Sequence, residues 1–163
     1  MEDKTDIPVH SATIRNVPIL VDHHRKMFEE IWSARGLEID SNQFQAMDKS
    51  HSKKMCEELL NGTCKAWMIL QGNEIVASGA ITINSMTPIP RDPSPKVAYL
   101  HSVFTEPEYR KRGFGKRITM TAIEYCKSQG IKRLTLNASD AGRPIYEKIG
   151  FLANGNSMTL FIE

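Results

Sequence analysis

The residues from Pro107 to Lys116 combine clustered positive charge with two glycines. The apolar run 97–104 before them predicts a strand, and a helical pattern begins near Gly113. The first amides of a helix lack intrahelical partners, and the helix dipole is positive at that end, so such a turn binds anions. Glycine at positions 113 and 115 lets a phosphate approach the backbone without a Cβ in the way. This segment therefore predicts an anion site.

The glycine spacing in this segment excludes two common phosphate-binding motifs. A Walker loop needs Ser or Thr after Gly-Lys, and a dinucleotide fingerprint needs a third glycine where this chain has Ile118. The pattern that remains is Arg-x-x-Gly-x-Gly, from Arg110 to Gly115. Mobile or forked positive charge surrounds it, on Arg110, Lys111, Arg112, Lys116 and Arg117.

Length and composition limit the classes of protein to consider. A chain of 163 residues has the size of one domain, which we place at 1–163, with 1–8 as a flexible tail. The formal net charge of +2 is too near neutral for a nucleic-acid partner. No run approaches the roughly 20 apolar residues of a membrane span, and the acidic first residues do not form a signal peptide. Three cysteines without Cys-x-x-Cys spacing indicate reduced thiols. We therefore expect a cytoplasmic protein with no membrane segment and no metal.

The hydrophobic pattern predicts alternating helices and strands. Gly and Pro residues separate these elements, and the proline-rich stretch 88–95 predicts a stiff loop. A helix that connects two strands of one sheet makes them parallel by a right-handed crossover, whereas tight turns give antiparallel neighbours, so the sheet is mixed. The predicted helices are 16–35, 41–60, 113–130 and 141–149, and the predicted strands are 12–15, 64–70, 75–83, 96–105, 133–137 and 158–162.

A second motif, Tyr146-x-x-x-Gly150-Phe151, lies beyond the basic turn. The two motifs, in this order, resemble those of the GCN5-related N-acetyltransferase superfamily, over about residues 64–163. The resemblance implies a mixed, mostly antiparallel sheet flanked by helices, the acyl-CoA N-acyltransferase fold, with an acetyl-CoA-binding core at 97–151. It also implies that acetyl-CoA is the cofactor and that the acetyl group passes directly to a primary amine of a small molecule or peptide.

The resemblance also implies which residues hold the cofactor. The strand before the loop pairs with the pantetheine arm, and the loop amides bind the pyrophosphate with charge-assisted hydrogen bonds. Ser139 stands where many relatives have asparagine. The implied cofactor-binding residues are Val103, Thr105, Arg110, Lys111, Arg112, Gly113, Phe114, Gly115, Lys116 and Ser139.

Three groups are candidates for the chemistry itself. The resemblance implies that Tyr146 is the general acid, with packing of the short helix on the sheet as the alternative role. The chemistry is reasonable, because a phenol with a pKa near 10 can protonate a departing thiolate, whose parent thiol has a pKa near 8.5. An amide near Phe104 is the candidate donor to the thioester carbonyl. His101 is the leading candidate for the base. Glu106, Glu108, Glu29, Glu30 or a water chain are the alternatives.

The acceptor side is less defined by the sequence. Met27 and Phe28 are candidates to line an acceptor pocket, with core packing as the alternative, and Ser102 is a candidate for acceptor hydrogen bonds. His23 and His24 point about 100° apart on a helix, so we expect one of them to face solvent. An inactive acyl-CoA-binding sensor with the same fold is the alternative function, and a homodimer is left open.

Overall fold

The structure is a computed structural model that describes residues 7–162. One five-stranded sheet, in the order β1-β2-β3-β4-β5, forms its centre. The first four strands pair antiparallel, and β5 runs parallel to β4. The mixed, mostly antiparallel sheet predicted from the sequence is confirmed. The strands are β1 Val9–Ser11, β2 Cys64–Gln71, β3 Glu74–Ser85, β4 Lys96–Thr105 and β5 Leu134–Leu136.

Within residues 7–162, four α-helices flank the sheet, and local signals set their ends. Pro18 lies in the first turn of α1, where its missing N–H costs nothing. Asp40 caps α2 by accepting from the amide of Asn42 at 2.8 Å, and Gly62 ends that helix with a φ of 81°. The helices are α1 Val17–Ala34, α2 Ser41–Asn61, α3 Phe114–Ser128 and α4 Arg143–Ile149.

The sheet separates two layers of core. α1 and α2 cover one face, and α3 covers the other. The buried cluster under α1 and α2 comprises Val17, Leu20, Val21, Met55, Cys64, Ala66 and Ala80. The clusters under α3 comprise Trp67, Ile69, Val76, Ala77, Ile81, Ala98, Leu100, Phe114, Ile118, Ala122, Cys126 and Ile131.

Two predicted strands differ from the structure. The first strand lies at Val9–Ser11 and not at 12–15, because Thr13 instead caps a single 3₁₀ turn, Ile14–Asn16. The predicted last strand, 158–162, is wrong for the part of the chain described here. Its apolar side chains are exposed, and an alternating pattern forms a strand only where a neighbouring edge pairs with it.

The predicted flexible tail, 1–8, can be compared only at its end. Residues 1–6 lie outside the described residues. Ile7 packs against the cluster that contains Ile69 and Ile118, so the predicted tail extends too far. The apolar side chain of Ile7 accounts for this contact.

Gly79, in the middle of β3, allows α3 to pack close to the sheet. A Cβ at this position would lie 2.7 Å from Ile118 Cγ2 and 3.1 Å from Val103 Cγ2. We therefore expect Gly79→Ala to lower the free energy of unfolding by about 1–3 kcal/mol, measured by urea denaturation. Gly155→Ala is the control, because a Cβ there meets nothing within 4 Å. Equal stability of both variants would contradict this account of the packing.

Candidate functional site

An open strand edge lies where β4 separates from β5. The two strands pair only from Ala98 with Leu134 to Leu100 with Leu136. Beyond that point β4 continues to Thr105 with β3 on its other side. Backbone groups of the second half of β4 therefore face a gap, which gives an extended ligand a strand to pair with.

A β-bulge at Ser102 sets the geometry of this half of β4. Ala80 of β3 pairs with His101, but Ser78 pairs with Phe104, so β4 carries one extra residue. Ser102 takes up that residue with a φ of 57°. The bulge lets the consecutive side chains of His101 and Ser102 both face α1 and α2.

Strand alternation decides which amides face the gap. Glu106 N donates to Val76 O at 2.9 Å, so Glu106 faces β3. Phe104, two residues earlier, then also faces β3, whereas Val103 and Thr105 face the gap. The Thr105 carbonyl accepts there from Arg110 Nε at 2.9 Å. The amide of Phe104 itself therefore faces β3, and the neighbouring Val103 amide is the better-placed donor for a carbonyl in the gap.

The basic turn after β4 forms an anion cradle of backbone amides. A 3₁₀ turn, Pro107–Tyr109, leads to Lys111 with a φ of 62° and Gly113 with a φ of 80°. Left-handed residues among right-handed or extended ones turn successive amides to one side, as in anion-binding nests. α3 begins at Phe114, so its first amides lie in the same place. The exposed side chains of Lys111 and Lys116 add positive charge.

The two arginines of the motif support the turn with their side chains. Arg110 binds the Thr105 carbonyl, pairs with Glu30 at 2.5 Å and lies over the Phe104 ring at 5.5 Å. Arg112 donates to the Glu108 carbonyl at 3.3 Å and lies over the Tyr109 ring. Both guanidinium groups thus keep the turn in place by binding backbone carbonyls of this part of the chain.

Two other predicted cofactor residues have structural side-chain contacts. The Phe114 side chain is in the core, so only its amide can reach a ligand. Ser139 Oγ accepts from the amide of Gly142 at 3.1 Å and so shapes the turn before α4.

Tyr146 lies on α4, against the α3 side of the sheet. Its half-buried ring packs on the cluster of Leu100 and Ala122 and meets Phe151 edge-on at 5.8 Å. Burial raises the pKa of the Tyr146 phenol above its usual value near 10. The hydroxyl is therefore protonated at neutral pH, as a proton donor must be.

Three histidines meet on the opposite side of the sheet. Ser102 Oγ lies 2.7 Å from His24 Nδ1 and 2.9 Å from His101 Nδ1. His51 of α2 stacks on His24 with ring centroids 4.0 Å apart. His101 Nε2 lies 3.0 Å from Thr82 Oγ1. No three or more His, Cys, Asp or Glu side chains of residues 7–162 are arranged to hold a metal ion.

These histidines are neutral at pH 7. Burial is the largest effect that lowers the pKa of His24 to about 4 and that of His101 to about 3, and the neighbouring His51 contributes to both shifts. Lys54 adds to the shift at His101. Burial likewise lowers the pKa of His51. His101, the predicted base, is thus too weakly basic to hold a proton at neutral pH.

His23 contacts the sheet as well, contrary to our expectation that it or His24 would face solvent. It is fully buried, its Nδ1 lies 2.7 Å from Ser78 Oγ, and its Nε2 lies 3.4 Å from Glu106. Burial, the largest effect, lowers the pKa of His23. Lys26 Nζ donates to Glu106 at 2.6 Å. No local pattern links His23 to Ser78, 55 residues later, so the sequence did not reveal this group.

The remaining candidates lie along α1 and the end of β4. The Phe104 ring is buried and lies 5.0 Å from that of His23. Phe28 meets His24 edge-on at 5.0 Å, and both it and Met27 are half-buried. A cavity of about 460 Å³ lies at Phe104, and its lining also includes Lys26, Glu29, Glu30 and Glu106 but not Met27 or Phe28. Glu29 pairs with Arg25, so both predicted glutamates of α1 are engaged in ion pairs.

Comparison with known proteins identifies the family of this chain. The family model described as Acetyltransferase (GNAT) family matches residues 20–151. The glucosamine 6-phosphate N-acetyltransferase of Trypanosoma brucei brucei is 36% identical over 64 residues, which are 39% of this chain and 44% of that protein. The chain thus matches less than half the length of this curated relative.

Two solved structures share the fold. A predicted acetyltransferase from Clostridium acetobutylicum, solved with acetyl-CoA, has a TM-score of 0.85 at 22% identity, with 96% of each chain covered. A GCN5-related N-acetyltransferase from Ralstonia eutropha JMP134 has a TM-score of 0.85 at 20% identity, covering 96% of this chain and 99% of that one.

The fold is therefore that of the GNAT acetyltransferases, as the sequence motifs predicted. The chain belongs to the GNAT family, because the family model covers most of its length. No helix of residues 7–162 combines the length and the apolar character that crossing a bilayer requires.

Gly113 tests the anion cradle. It has a φ of 80°, so Gly113→Ala strains the cradle by about 1–2 kcal/mol and displaces its amides. We expect the dissociation constant of coenzyme A to rise about tenfold by isothermal titration calorimetry. Gly130→Ala is the matched control, since Gly130 has a φ of 67° just beyond the other end of α3. A similar loss of affinity in both variants would mean that strain alone, and not the cradle, is responsible.

The buried histidines predict acid-sensitive stability. An unfolded histidine takes up a proton near pH 6.5, whereas His24 and His101 do so only near pH 4 and 3. The free energy of unfolding is therefore fully present above pH 6.5 and falls as the pH drops toward 4. We expect urea titrations to give a shallower pH slope for His101→Asn than for the wild type. His10→Asn, at an exposed position, should keep the wild-type slope; an unchanged slope in His101→Asn would refute the burial effect.

Proposed function

We propose that the protein transfers an acetyl group from acetyl-CoA directly to a primary amine of a small molecule or peptide. One observation carries the proposal: the open edge of β4 leads straight into the amide cradle at the start of α3. A strand edge suits the amide-containing arm of coenzyme A, and the cradle suits its pyrophosphate. As predicted from the sequence, we also propose a cytoplasmic location.

The cradle offers a pyrophosphate backbone hydrogen-bond donors and balancing positive charge. Its donors are the amides from Lys111 to Lys116, and Gly113 leaves space where a Cβ would stand. Lys111 and Lys116 balance the charge, while Arg110 and Arg112 keep the turn in place. Val103 and Thr105 present backbone groups to the arm of coenzyme A, which continues from the pyrophosphate.

Bound acetyl-CoA supplies the acetyl group as an activated thioester. The Val103 amide donates a hydrogen bond to the thioester carbonyl, where negative charge develops. The Tyr146 hydroxyl donates its proton to the departing sulfur, and the proton that the acceptor nitrogen loses after its attack returns to the Tyr146 oxygen. Holding the amine beside the carbonyl supplies the rest of the acceleration through proximity.

Direct transfer is favoured over an acetylated cysteine. Burial raises the pKa of the Cys64 thiol to about 11, and it also raises the pKa of Cys126. Both thiols are therefore protonated and enclosed at neutral pH, unlike reactive cysteines, which have depressed pKa values.

The acceptor reaches the site beside α1. Met27 and Phe28 supply an apolar wall, and the cavity at Phe104 is bordered by charged groups of both signs. An amino sugar phosphate is one member of this class, since the trypanosomal relative is named for glucosamine 6-phosphate. Amino acids, polyamines and peptides are the other members.

A thiol-release assay tests the proposed function. Purified protein receives acetyl-CoA with glucosamine 6-phosphate, a polyamine, amino acids or peptides in turn, and mass spectrometry identifies the acetylated product. Release with at least one amine supports the enzyme. Tight binding of acetyl-CoA without release for any amine would favour the inactive acyl-CoA sensor.

Tyr146→Phe tests the proton donor. Removing the hydroxyl should lower kcat at least a hundredfold, as for other general acids, and leave the dissociation constant of coenzyme A unchanged. Tyr125→Phe is the control, because the ring of Tyr125, on α3, packs against Trp67 of β2 and lies outside the site. A wild-type kcat for Tyr146→Phe would overturn the assignment.

A further inference from the structure

We propose that a line of hydrogen-bonded side chains carries the proton of the acceptor amine from the site to the protein surface. The line consists of His24, Ser102, His101, Thr82 and Glu58. This inference rests on the proposed function and deepens it, because an amine must lose a proton to attack a thioester.

Each contact along the line has hydrogen-bond length. His24 Nδ1 lies 2.7 Å from Ser102 Oγ, which lies 2.9 Å from His101 Nδ1. His101 Nε2 lies 3.0 Å from Thr82 Oγ1. Thr82 Oγ1 in turn lies 3.3 Å from Glu58 Oε2. The five side chains come from α1, α2, β3 and β4, so tertiary packing holds the line together.

At the outer end of the line, the chemistry of Lys54 and Glu58 fixes which group donates each hydrogen bond and which accepts it. Lys54 donates to Thr82 Oγ1 at 3.1 Å, and an ammonium can only donate. The Glu58 carboxylate can only accept, so the Thr82 hydroxyl donates to it. His101 must then donate to Thr82 from Nε2–H, which leaves its Nδ1 as an acceptor.

The hydrogen bonds at the inner end of the line have a fixed direction as well, because a hydroxyl has only one proton to donate. Ser102 donates to His101 Nδ1 and therefore accepts from His24 Nδ1–H. A neutral His24 with its proton on Nδ1 has a free lone pair on Nε2. His24 is only half-buried and lies against Phe28, which the proposed function assigns to the wall of the acceptor pocket. His51, stacked on His24, disfavours a lasting positive charge there.

The transfer balances in protons at every step. The ammonium of the acceptor gives a proton to His24 Nε2, and the proton of His24 Nδ1 moves to Ser102. The Ser102 hydroxyl proton moves to His101 Nδ1, the proton of His101 Nε2 moves to Thr82, and the Thr82 hydroxyl proton moves to Glu58. Glu58 is 23% exposed and releases its proton to water. Hydroxyl rotation and tautomer exchange restore the starting order.

Two variants interrupt the line far from the cofactor site. Thr82→Val keeps the shape of the side chain but removes the hydroxyl, and Glu58→Gln removes the final acceptor. At pH 7 we expect each to lower kcat/KM for the amine about tenfold or more, with the dissociation constant of coenzyme A unchanged. Only amine that is already deprotonated reacts in these variants, so below the amine pKa their rate should rise about tenfold per pH unit, more steeply than that of the wild type.

Glu57→Gln is the matched control. Glu57 is the neighbour of Glu58 on α2, is 64% exposed and pairs only loosely with Lys53, at 4.0 Å. It should keep the wild-type rate and pH profile. A Thr82→Val variant with the rate and pH profile of an active wild type would overturn the relay alone.

A readout independent of activity completes the test. Nitrogen-15 NMR of the imidazoles should find the proton of His24 on Nδ1 and that of His101 on Nε2. Both protons on Nδ1, or both on Nε2, would overturn the relay. If the wild type transfers the acetyl group to none of the amines, the proposed function is wrong, and the relay then has no reaction to serve.

Discussion

The bulge at Ser102 is the constraint on which the site depends. In a regular strand, consecutive side chains point to opposite faces. With the bulge, His101 and Ser102 face α1 and α2 together, and Ser102 contacts two histidines at once. A non-glycine residue in the left-handed region costs about 1–3 kcal/mol. Two hydrogen bonds at about 0.5–1.5 kcal/mol each offset a cost of that order, so the bulge is sustained by the network that it creates.

The packing of α3 against Gly79 positions the other half of the site, the anion cradle at the start of α3. Because Ile118 and Val103 both approach this glycine closely, the helix axis is fixed relative to the strand that precedes the cradle. Arg110 and Arg112 then hold the turn in place by binding the carbonyls of Thr105, at the end of β4, and Glu108. The positive character that remains for a ligand comes from backbone amides and from lysines, whose charges are free to adapt.

Local signals in the sequence predicted most of the fold but only part of the site. The bounds of β4 and the start of α2 follow from residues next to them, such as Asp40 at the cap. The bulge was not predictable, because strand alternation assumes a regular period. His51 could have been found: it falls on the apolar stripe of α2 between Phe44 and Met55, where a polar residue needs a partner. The partners themselves lie on other elements, and no spacing along the chain reveals them.

The sheet keeps the two proton transfers of the proposed reaction apart. Tyr146 packs on the α3 side, with Leu100 and Ala122, whereas the histidines lie between the sheet and the first two helices. A base near the departing sulfur would compete with the acid for the same proton, and that competition lowers the yield of both transfers. With the strand between them, the ammonium and the departing sulfur are served by different groups. In the proposed reaction, the gap between β4 and β5 is the place where groups from both sides of the sheet would meet a single bound thioester.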